Sequence, residues 1–299
     1  MAQLQVSFEL EADELEGVDT LLQELGCWAQ TYQSEDGSSL LEPGVGEHPL
    51  WGRVRLSGLF DPHQDERGVR LAIEKRLGRT LPDWQCEHLE DRPWEREWLE
   101  HFQPMLFGSR LWIVPSGHAV AIPQGGLAIR LDPGLAFGSG THETTALCLE
   151  WLDGEELTGA HGIDYGAGSG VLAVAAVTLG AKECLAVDND PQAVQASIAN
   201  ASRNGVAEAV PGYLAGDQPD YCADFLLANI LSATLITLAG QLLGSLRSGG
   251  RLALSGILES QQRQVMEAFG PEVAWDPPRS KGDWVLLSGT YAPSYRHNT

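Results

Sequence analysis

The sequence predicts an α/β protein in which a small α+β domain precedes a larger domain with a doubly wound, mostly parallel sheet. From about residue 110 onward, short apolar runs alternate with segments of helical periodicity, which is typical of parallel strands joined by crossover helices. Before that point the elements run strand, helix, strand, strand, helix, strand, the split βαβ order of a ferredoxin-like module. A length of 299 residues agrees with about two domains.

The elements of the first domain follow from two periodicities. Alternation of apolar and polar residues predicts strands, and apolar residues at steps of three and four predict helices. The predicted strands are 3–10, 27–33, 51–60 and 84–89, and the predicted helices are 11–25 and 65–77.

A helix beginning near Pro93 is predicted to join the two domains, since proline suits the first turn of a helix. Trp94 and Trp98 are four residues apart and share one face of it. This pair indicates either a helix that docks one domain on the other or a local hydrophobic contact. We therefore expect a first domain at 1–92, a linker helix and lead-in at 93–115, and a second domain at 116–299.

The second domain is predicted to contain six strands and five helices. The strands are 161–165, 184–187, 213–216, 225–228, 251–256 and 284–289, and the helices are 146–152, 170–179, 191–204, 232–246 and 259–269. The stretch 225–246 carries no charged residue over 22 positions, which is long enough to cross a bilayer. Its polar residues and its leucines at steps of four and three favour a buried strand followed by a core-facing helix.

Charge and cysteine usage exclude several classes of protein. The 19 Lys and Arg against 41 Asp and Glu give a net charge of -22, which argues against binding nucleic-acid phosphates or anionic lipid and permits a basic partner. The five cysteines are scattered without a C-x-x-C pair, so neither a disulfide framework nor a thiolate zinc site is expected. No signal-peptide pattern opens the sequence, and a reducing cytoplasm is the expected location.

The strongest local signal is a glycine loop between a predicted strand and a predicted helix. Asp164, Gly166, Gly168 and Gly170 form the pattern acid-x-G-x-G-x-G. Glycines allow torsions that other residues resist and let a ligand approach the backbone closely. A dinucleotide fingerprint would place its third glycine one residue later, where Val171 stands. The observed form resembles the nucleoside-binding loop of class I S-adenosylmethionine-dependent methyltransferases.

Another acidic residue ends the next predicted strand. Asp188 follows Gly166 by 22 residues, and an acid at this point of a βαβ unit accepts hydrogen bonds from ribose hydroxyls. A surface acid at a strand end is the alternative. Asp190 directly precedes Pro191 and a predicted helix, so we expect it to be an N-cap.

Two further segments complete the pattern. Residues 131–145 are rich in turn formers and hydroxyls, which neither helix nor strand propensity explains. His142 within them lacks further ligands at metal-binding spacing, so we favour a structural hydrogen bond for it over metal binding or general-base catalysis. Asn229 follows a buried strand at its carboxyl end, where open α/β sheets bind ligands.

Together these motifs resemble the ribosomal protein L-eleven methyltransferase family (PrmA), and the resemblance covers nearly the whole chain. It is carried by 131–145, the glycine loop, 187–191 and 228–231, and in the first part by 51–52, 58–61 and 94–98. The resemblance implies a class I methyltransferase fold for the second domain and S-adenosylmethionine as the cofactor. The cofactor-binding residues that it implies are Thr145, Gly166, Asp188 and Asn229, and we add Gly168 from the same glycine loop.

The resemblance also implies that the first domain binds a basic large-subunit ribosomal protein and that the linker repositions it over the catalytic domain. Methyl groups would then pass to lysine side-chain amines and to the N-terminal amine of that protein. We expect no metal, no covalent nucleophile, no nucleic acid and no membrane, with a monomer as the default. The general base, the methylated amines and the degree of methylation stay open.

Departures from the family pattern are few. Glu143 stands where proline is common in the family, and it adds a charge beside the expected site. Asp217 is a weaker candidate for an adenine contact. The alternatives left open are a methyltransferase of the same fold acting on another basic protein or on a small molecule, an NAD(P)-dependent oxidoreductase, and a non-catalytic cofactor-binding module. A methyltransferase for nucleic acid is disfavoured by the net charge of -22, and one for glutamine by the absence of an N-P-P-Y motif at 229–232.

Overall fold

The computed structural model describes residues 3–34, 52–89, 103–115, 118, 121–131 and 142–293. Two units are distinguished, Met1–Trp94 and Glu95–Thr299, and each is described by itself. The predicted linker helix with Trp94 and Trp98, and most of the hydroxyl-rich segment before Thr145, lie outside the described residues.

The described residues of the first unit form a four-stranded antiparallel sheet and two α-helices. Its elements are β1 (Gln3–Glu11), α1 (Leu15–Glu24), β2 (Ala29–Ser34), β3 (Arg53–Phe60), α2 (Glu66–Leu77) and β4 (Gln85–Leu89). The strands are ordered β2-β3-β1-β4 across the sheet, and every pair is antiparallel. This order confirms the predicted ferredoxin-like module.

Alternation along the strands and the helical period build the core of this unit. On β1 every second side chain is buried, from Leu4 through Val6 and Phe8 to Leu10, and helices α1 and α2 pack their own apolar faces against this surface. The first predicted helix begins later than the pattern suggested, because Ala12–Glu14 forms a 3-10 turn. There the Glu14 carboxylate accepts a hydrogen bond from the Glu11 N–H at 3.0 Å.

The first described elements of the second unit form a small three-stranded sheet that sequence periodicity did not reveal. Its strands are β5 (Met105–Phe107), β6 (Leu111–Val114) and β7 (Leu127–Arg130), in the order β5-β6-β7. Strands of three or four residues are too short to show a clear period. Part of the predicted 93–115 lead-in is therefore a β-hairpin.

The main sheet of the second unit has eight strands among the described residues. They are β8 (His161–Tyr165), β9 (Glu183–Asp188), β10 (Gly212–Leu214), β11 (Ala223–Asn229), β12 (Leu246–Leu258), β13 (Val273–Trp275), β14 (Arg279–Lys281) and β15 (Trp284–Tyr291). Their order is β10-β9-β8-β11-β12-β15-β13, with β14 paired to β15. The strands from β10 to β12 are parallel, and β15 is antiparallel to β12.

Helices connect and cover these strands, which confirms the predicted doubly wound α/β class. They are α3 (Glu143–Gly154), α4 (Val171–Thr178), α5 (Pro191–Arg203), α6 (Ser232–Gly244) and α7 (Gln262–Phe269). The uncharged stretch 225–246 contains most of β11, helix α6 and the first residue of β12. Its pattern predicted the strand and the helix, but the helix ends at Gly244 and not at Leu246. No helix in the described ranges has the length and apolar character needed to cross a membrane.

Strand order positions the site. The chain runs from β8 outward to β9 and β10, and β11 then returns to the opposite side of β8. The connections after β8 and β11 therefore diverge, which opens a crevice at the carboxyl ends of these strands.

A buried carboxylate attaches the β5–β6 hairpin to helix α3. The side chain of Asp153 is 4% exposed, and its oxygens accept hydrogen bonds from the Ser109 N–H at 2.6 Å, the Ser109 hydroxyl at 2.9 Å and the Arg110 Nε at 3.0 Å. Gly108, at φ 63°, leaves room for it, because an added Cβ would overlap this carboxylate. Although burial raises the pKa of Asp153, the bonds from Ser109 and Arg110 hold it below its ordinary value.

Asp153→Asn should lower the free energy of unfolding by about 2 kcal/mol at neutral pH, because one amide oxygen cannot replace a carboxylate that accepts three hydrogen bonds. Since the folded-state pKa is lowered, this contribution is present above the unfolded-state pKa and is lost as the pH falls through the folded-state value. Urea unfolding at several pH values measures it. Glu267→Gln, in an exposed pair with Arg263, is the control and should change stability little. Equal effects of the two variants would contradict the prediction.

Candidate functional site

The glycine loop leaves β8 in a conformation that only glycine adopts readily. Gly166, Gly168 and Gly170 have φ values of 76°, 53° and 75°, which are unfavourable for residues with a Cβ. The N–H groups of Gly166 and Ala167 both donate to the Val187 carbonyl, at 2.7 and 3.1 Å. These bonds fix the loop to the end of β9.

Asp188 completes that attachment. Its Oδ2 accepts a hydrogen bond from the Gly168 N–H at 2.8 Å, and its Oδ1 accepts one from the Asp190 N–H at 3.0 Å. Each carboxylate oxygen has a second lone pair, so both can still accept a hydroxyl. Asp190 is the N-cap of α5, as predicted, and accepts from the Gln192 N–H at 2.8 Å with Pro191 in the first turn.

Thr145 and Asn229 lie together although 84 residues separate them. The Asn229 amide donates to the Thr145 hydroxyl at 3.4 Å, and Thr145 is 1% exposed near the start of α3. His142 caps this helix by accepting from the Thr144 N–H at 3.3 Å, and its ring meets that of Trp284 edge-on at 5.0 Å. These contacts agree with the favoured structural reading of His142.

Ile230 connects the Asn229 side of the site to the glycine loop. An added Cβ at Gly166 would overlap the Ile230 side chain, and one at Gly256 of β12 would overlap the Ile230 backbone. Gly256 has a φ of 79°, and the pairing of β12 with β15 shifts register around it. Sequence reasoning missed Gly256, although an isolated glycine within a strand pattern indicates a bulge or a close backbone approach.

Asp164, the acid of the glycine motif, is buried below the loop. It is 1% exposed; its Oδ2 accepts from the Ala173 N–H at 3.1 Å, whereas its Oδ1 has no hydrogen-bond partner among the described residues. Because Gly170 has no side chain with which to cap α4, the carboxyl of Asp164 supplies that acceptor from β8. Burial, assisted by the charge of Asp188, raises the pKa of Asp164 to about 7.

The predicted site residues thus form two groups linked by Ile230. Gly166, Gly168 and Asp188 meet through the loop and the end of β9, and Thr145 meets Asn229 at the end of β11. Glu143 begins α3 beside them, whereas Asp217 lies in an exposed turn beyond β10, so its adenine contact stays a prediction. Within the described part of the chain, no three His, Cys, Asp or Glu side chains are grouped as metal ligands.

Comparison with known proteins decides the family. The family model described as ribosomal protein L11 methyltransferase (PrmA) matches residues 2–291. The chain belongs to the ribosomal protein L11 methyltransferase family. It is therefore a methyltransferase, and the resemblance inferred from its motifs is confirmed.

Relatives and a solved structure agree with membership in the ribosomal protein L11 methyltransferase family. A protein of that name from Halorhodospira halophila is 62% identical over 97% of this chain and 99% of its own length. One from Pseudomonas aeruginosa is 46% identical over 97% of this chain and 98% of its own length. A crystal structure of ribosomal protein L11 methylase from Lactobacillus delbrueckii has a TM-score of 0.58 at 30% identity, covering 64% of this chain and 99% of that one.

Asp164→Asn should remove a pH dependence from folding stability. An aspartate in an unfolded chain has a pKa of about 3.9, and the folded value is about 7. The folded state therefore binds more protons between these values, and wild-type stability falls as the pH rises through this window. From pH 5.5 to 8.5 the variant should gain about 2 kcal/mol relative to the wild type.

Urea unfolding of both proteins at the two pH values measures this difference. Parallel stability curves for the wild type and Asp164→Asn would contradict the assignment.

Proposed function

We propose that this protein transfers methyl groups from S-adenosylmethionine to lysine side-chain amines and the N-terminal amine of ribosomal protein L11. The observation that carries the proposal is the contact between Gly168 and Asp188, which sets a carboxylate with free lone pairs beside a glycine loop. That arrangement suits a nucleoside with two adjacent ribose hydroxyls. Family membership supports the reaction class and the partner.

The residues of the site fit this cofactor. Asp188 would accept hydrogen bonds from the ribose hydroxyls, and Gly166 and Gly168 would let the ligand approach the backbone. Thr145 and Asn229, at the end of β11, would orient the amino-acid part through the amide and hydroxyl groups that their mutual contact positions. When bound, the cofactor supplies an activated methyl group on a sulfonium, so the protein's main task is orientation.

The acceptor amine must be neutral to react, yet a free lysine has a pKa of about 10.4. An apolar environment lowers the pKa of an amine, and Ile230 and Leu231 offer such an environment next to Asn229. Leu231 is 57% exposed, so it is available to an incoming side chain. The net charge of -22 attracts a basic protein but opposes loss of the amine's proton, so we assign it to partner attraction.

We further propose that residues 1–92 recognise the protein substrate and residues 116–299 carry out the transfer, with 93–115 as the link. The separate core of the first unit supports this division. Asp153 attaches the hairpin of β5 and β6 to α3, so we assign these strands to the catalytic part. A ribosomal substrate favours a cytoplasmic site of action, and a monomer stays the default.

Transfer of labelled methyl groups tests the proposal directly. The protein is incubated with labelled S-adenosylmethionine and purified ribosomal protein L11, with a second ribosomal protein of similar basic charge as the comparison. Label should enter the first protein alone, on lysine and N-terminal amines mapped by mass spectrometry. Label confined to the second protein would favour the alternative of another basic substrate, and label in neither would contradict the proposed activity.

Gly166→Ala should abolish detectable binding of S-adenosylmethionine. The variant needs an unfavourable φ and overlaps Ile230, so the loop must leave its position beside Asp188. Isothermal calorimetry measures the binding.

Gly240→Ala is the matched control, because a Cβ at this exposed position of α6 meets nothing within 4 Å. It should stabilise the helix by about 1 kcal/mol and bind the cofactor normally. Wild-type affinity in Gly166→Ala would refute the site assignment.

A further inference from the structure

Helix α5 and its C-cap residue turn three polar side chains toward the rest of the second unit, beside the buried Ala193, Val194 and Ala201. Ser197, Asn200 and Asn204 follow each other at steps of three and four, so they share one face of the helix. Ser197 is 0% exposed and Asn200 is 8% exposed. Burial of a hydroxyl or an amide costs about 1–3 kcal/mol unless it is hydrogen-bonded. The hydrogen-bond partners of these buried side chains therefore show which part of the fold they stabilise.

Two of these side chains bind carbonyl groups of the glycine loop. The Ser197 hydroxyl donates to the Gly168 carbonyl at 3.0 Å, and the Asn200 Nδ2 donates to the Ser169 carbonyl at 2.8 Å. Gly168 and Ser169 lie outside helices and strands, and no N–H of the described loops and turns donates to their carbonyls, so α5 provides side-chain donors instead. Each bond therefore supplies a hydrogen-bond donor to a loop carbonyl that has no backbone donor in the loop.

The orientation of the Asn200 amide is set by chemistry. Its Oδ1 accepts a hydrogen bond from the Arg203 guanidinium at 2.6 Å. A guanidinium can only donate, so the oxygen faces Arg203 and the NH2 group faces the loop. The donor to Ser169 is thereby held in place by the same helix.

Asn204 anchors the other end of this polar face. Its Oδ1 accepts from the Arg130 N–H at 2.7 Å, and its Nδ2 donates to the Arg130 carbonyl at 2.9 Å and to the Asn200 carbonyl at 2.8 Å. The side chain thus pairs with the end of β7 as a neighbouring strand would. A continuous set of hydrogen bonds runs from β7 through α5 to the glycine loop.

Gly170 brings the loop close enough for these bonds to form. An added Cβ at Gly170 would lie 2.8 Å from the Ser197 Cβ and 2.9 Å from its Cα. The third glycine of the motif is therefore needed for contact with α5 as well as for its φ of 75°.

We propose that Asn200 is a positioning residue for cofactor binding. Together with Ser197 it holds the Gly168 and Ser169 carbonyls against α5, which keeps the loop in the shape that places Gly168 against Asp188. Asn200 itself need not contact the cofactor. The inference rests on the proposed function, because it takes S-adenosylmethionine as the bound molecule.

Asn200→Asp is the sharpest test. The variant keeps the side chain's shape and its bond with Arg203, but it replaces the donor to Ser169 with a negative oxygen. S-adenosylmethionine should bind about ten-fold more weakly, as expected for the loss of one buried hydrogen bond. In steady-state kinetics the KM for S-adenosylmethionine should rise, while kcat at saturating cofactor and the KM for the ribosomal protein stay unchanged.

Val265→Ala is the control for a general loss of stability. Val265 is 0% exposed on α7, in another part of the core, and its truncation should lower Tm without changing cofactor affinity. Wild-type affinity in Asn200→Asp would overturn the inference, as would an equal loss of affinity in Val265→Ala. If Asn200→Asp does not fold, Ser197→Ala removes only the donor to Gly168 and should also weaken binding; wild-type affinity there would overturn the inference.

Calorimetry on the wild type separates this inference from the proposed function. A wild type that binds no S-adenosylmethionine would refute the proposed cofactor. A wild type that binds and a variant that binds equally well would refute only the role of Asn200.

Discussion

The hydrogen bond from the Gly168 N–H to the Asp188 carboxylate is the interaction on which the site depends. It joins the loop after β8 to the end of β9 at 2.8 Å, and the loop can reach it only with φ values that glycine adopts readily. Two neighbouring contacts help to keep the loop in the shape that this hydrogen bond requires. Val187 holds the start of the loop, and Asp164 caps the helix that follows it.

This arrangement places polar groups in the interior of the second unit. Asp164 keeps a buried carboxyl oxygen that has no hydrogen-bond partner among the described residues, and α5 buries a hydroxyl and an amide that bind the Gly168 and Ser169 carbonyls. A buried polar group costs free energy unless a hydrogen bond compensates for the lost contact with water. The presence of these polar groups fits a protein in which the loop must keep one shape for a ligand, since functional sites commonly retain such local costs.

Local chemistry explains why an N-cap, a strand followed by a helix, and the glycine loop could be predicted from the sequence. Asp190 followed by Pro191 is an N-cap in the structure because the capping bond spans only two residues. The uncharged stretch that begins at Phe225 divides into strand and helix because its leucines carry the helical period. Glycines at 166, 168 and 170 indicated a loop between β8 and α4 because the motif and the torsions it needs are local. The short strands β5, β6 and β7 escaped prediction because three or four residues show no clear period.

By itself, the sequence determined the two-domain α/β organisation, the glycine loop, the residues expected around it and the resemblance to a methyltransferase family. Each of these depends on periodicity or on motifs read along a few neighbouring residues. The tertiary structure alone decided that Ile230 fits between Gly166 and Gly256, that Asn229 meets Thr145, and that Asn200 supports the loop. These contacts join residues 26 to 84 positions apart in the chain, and only the strand order of the folded sheet brings them together.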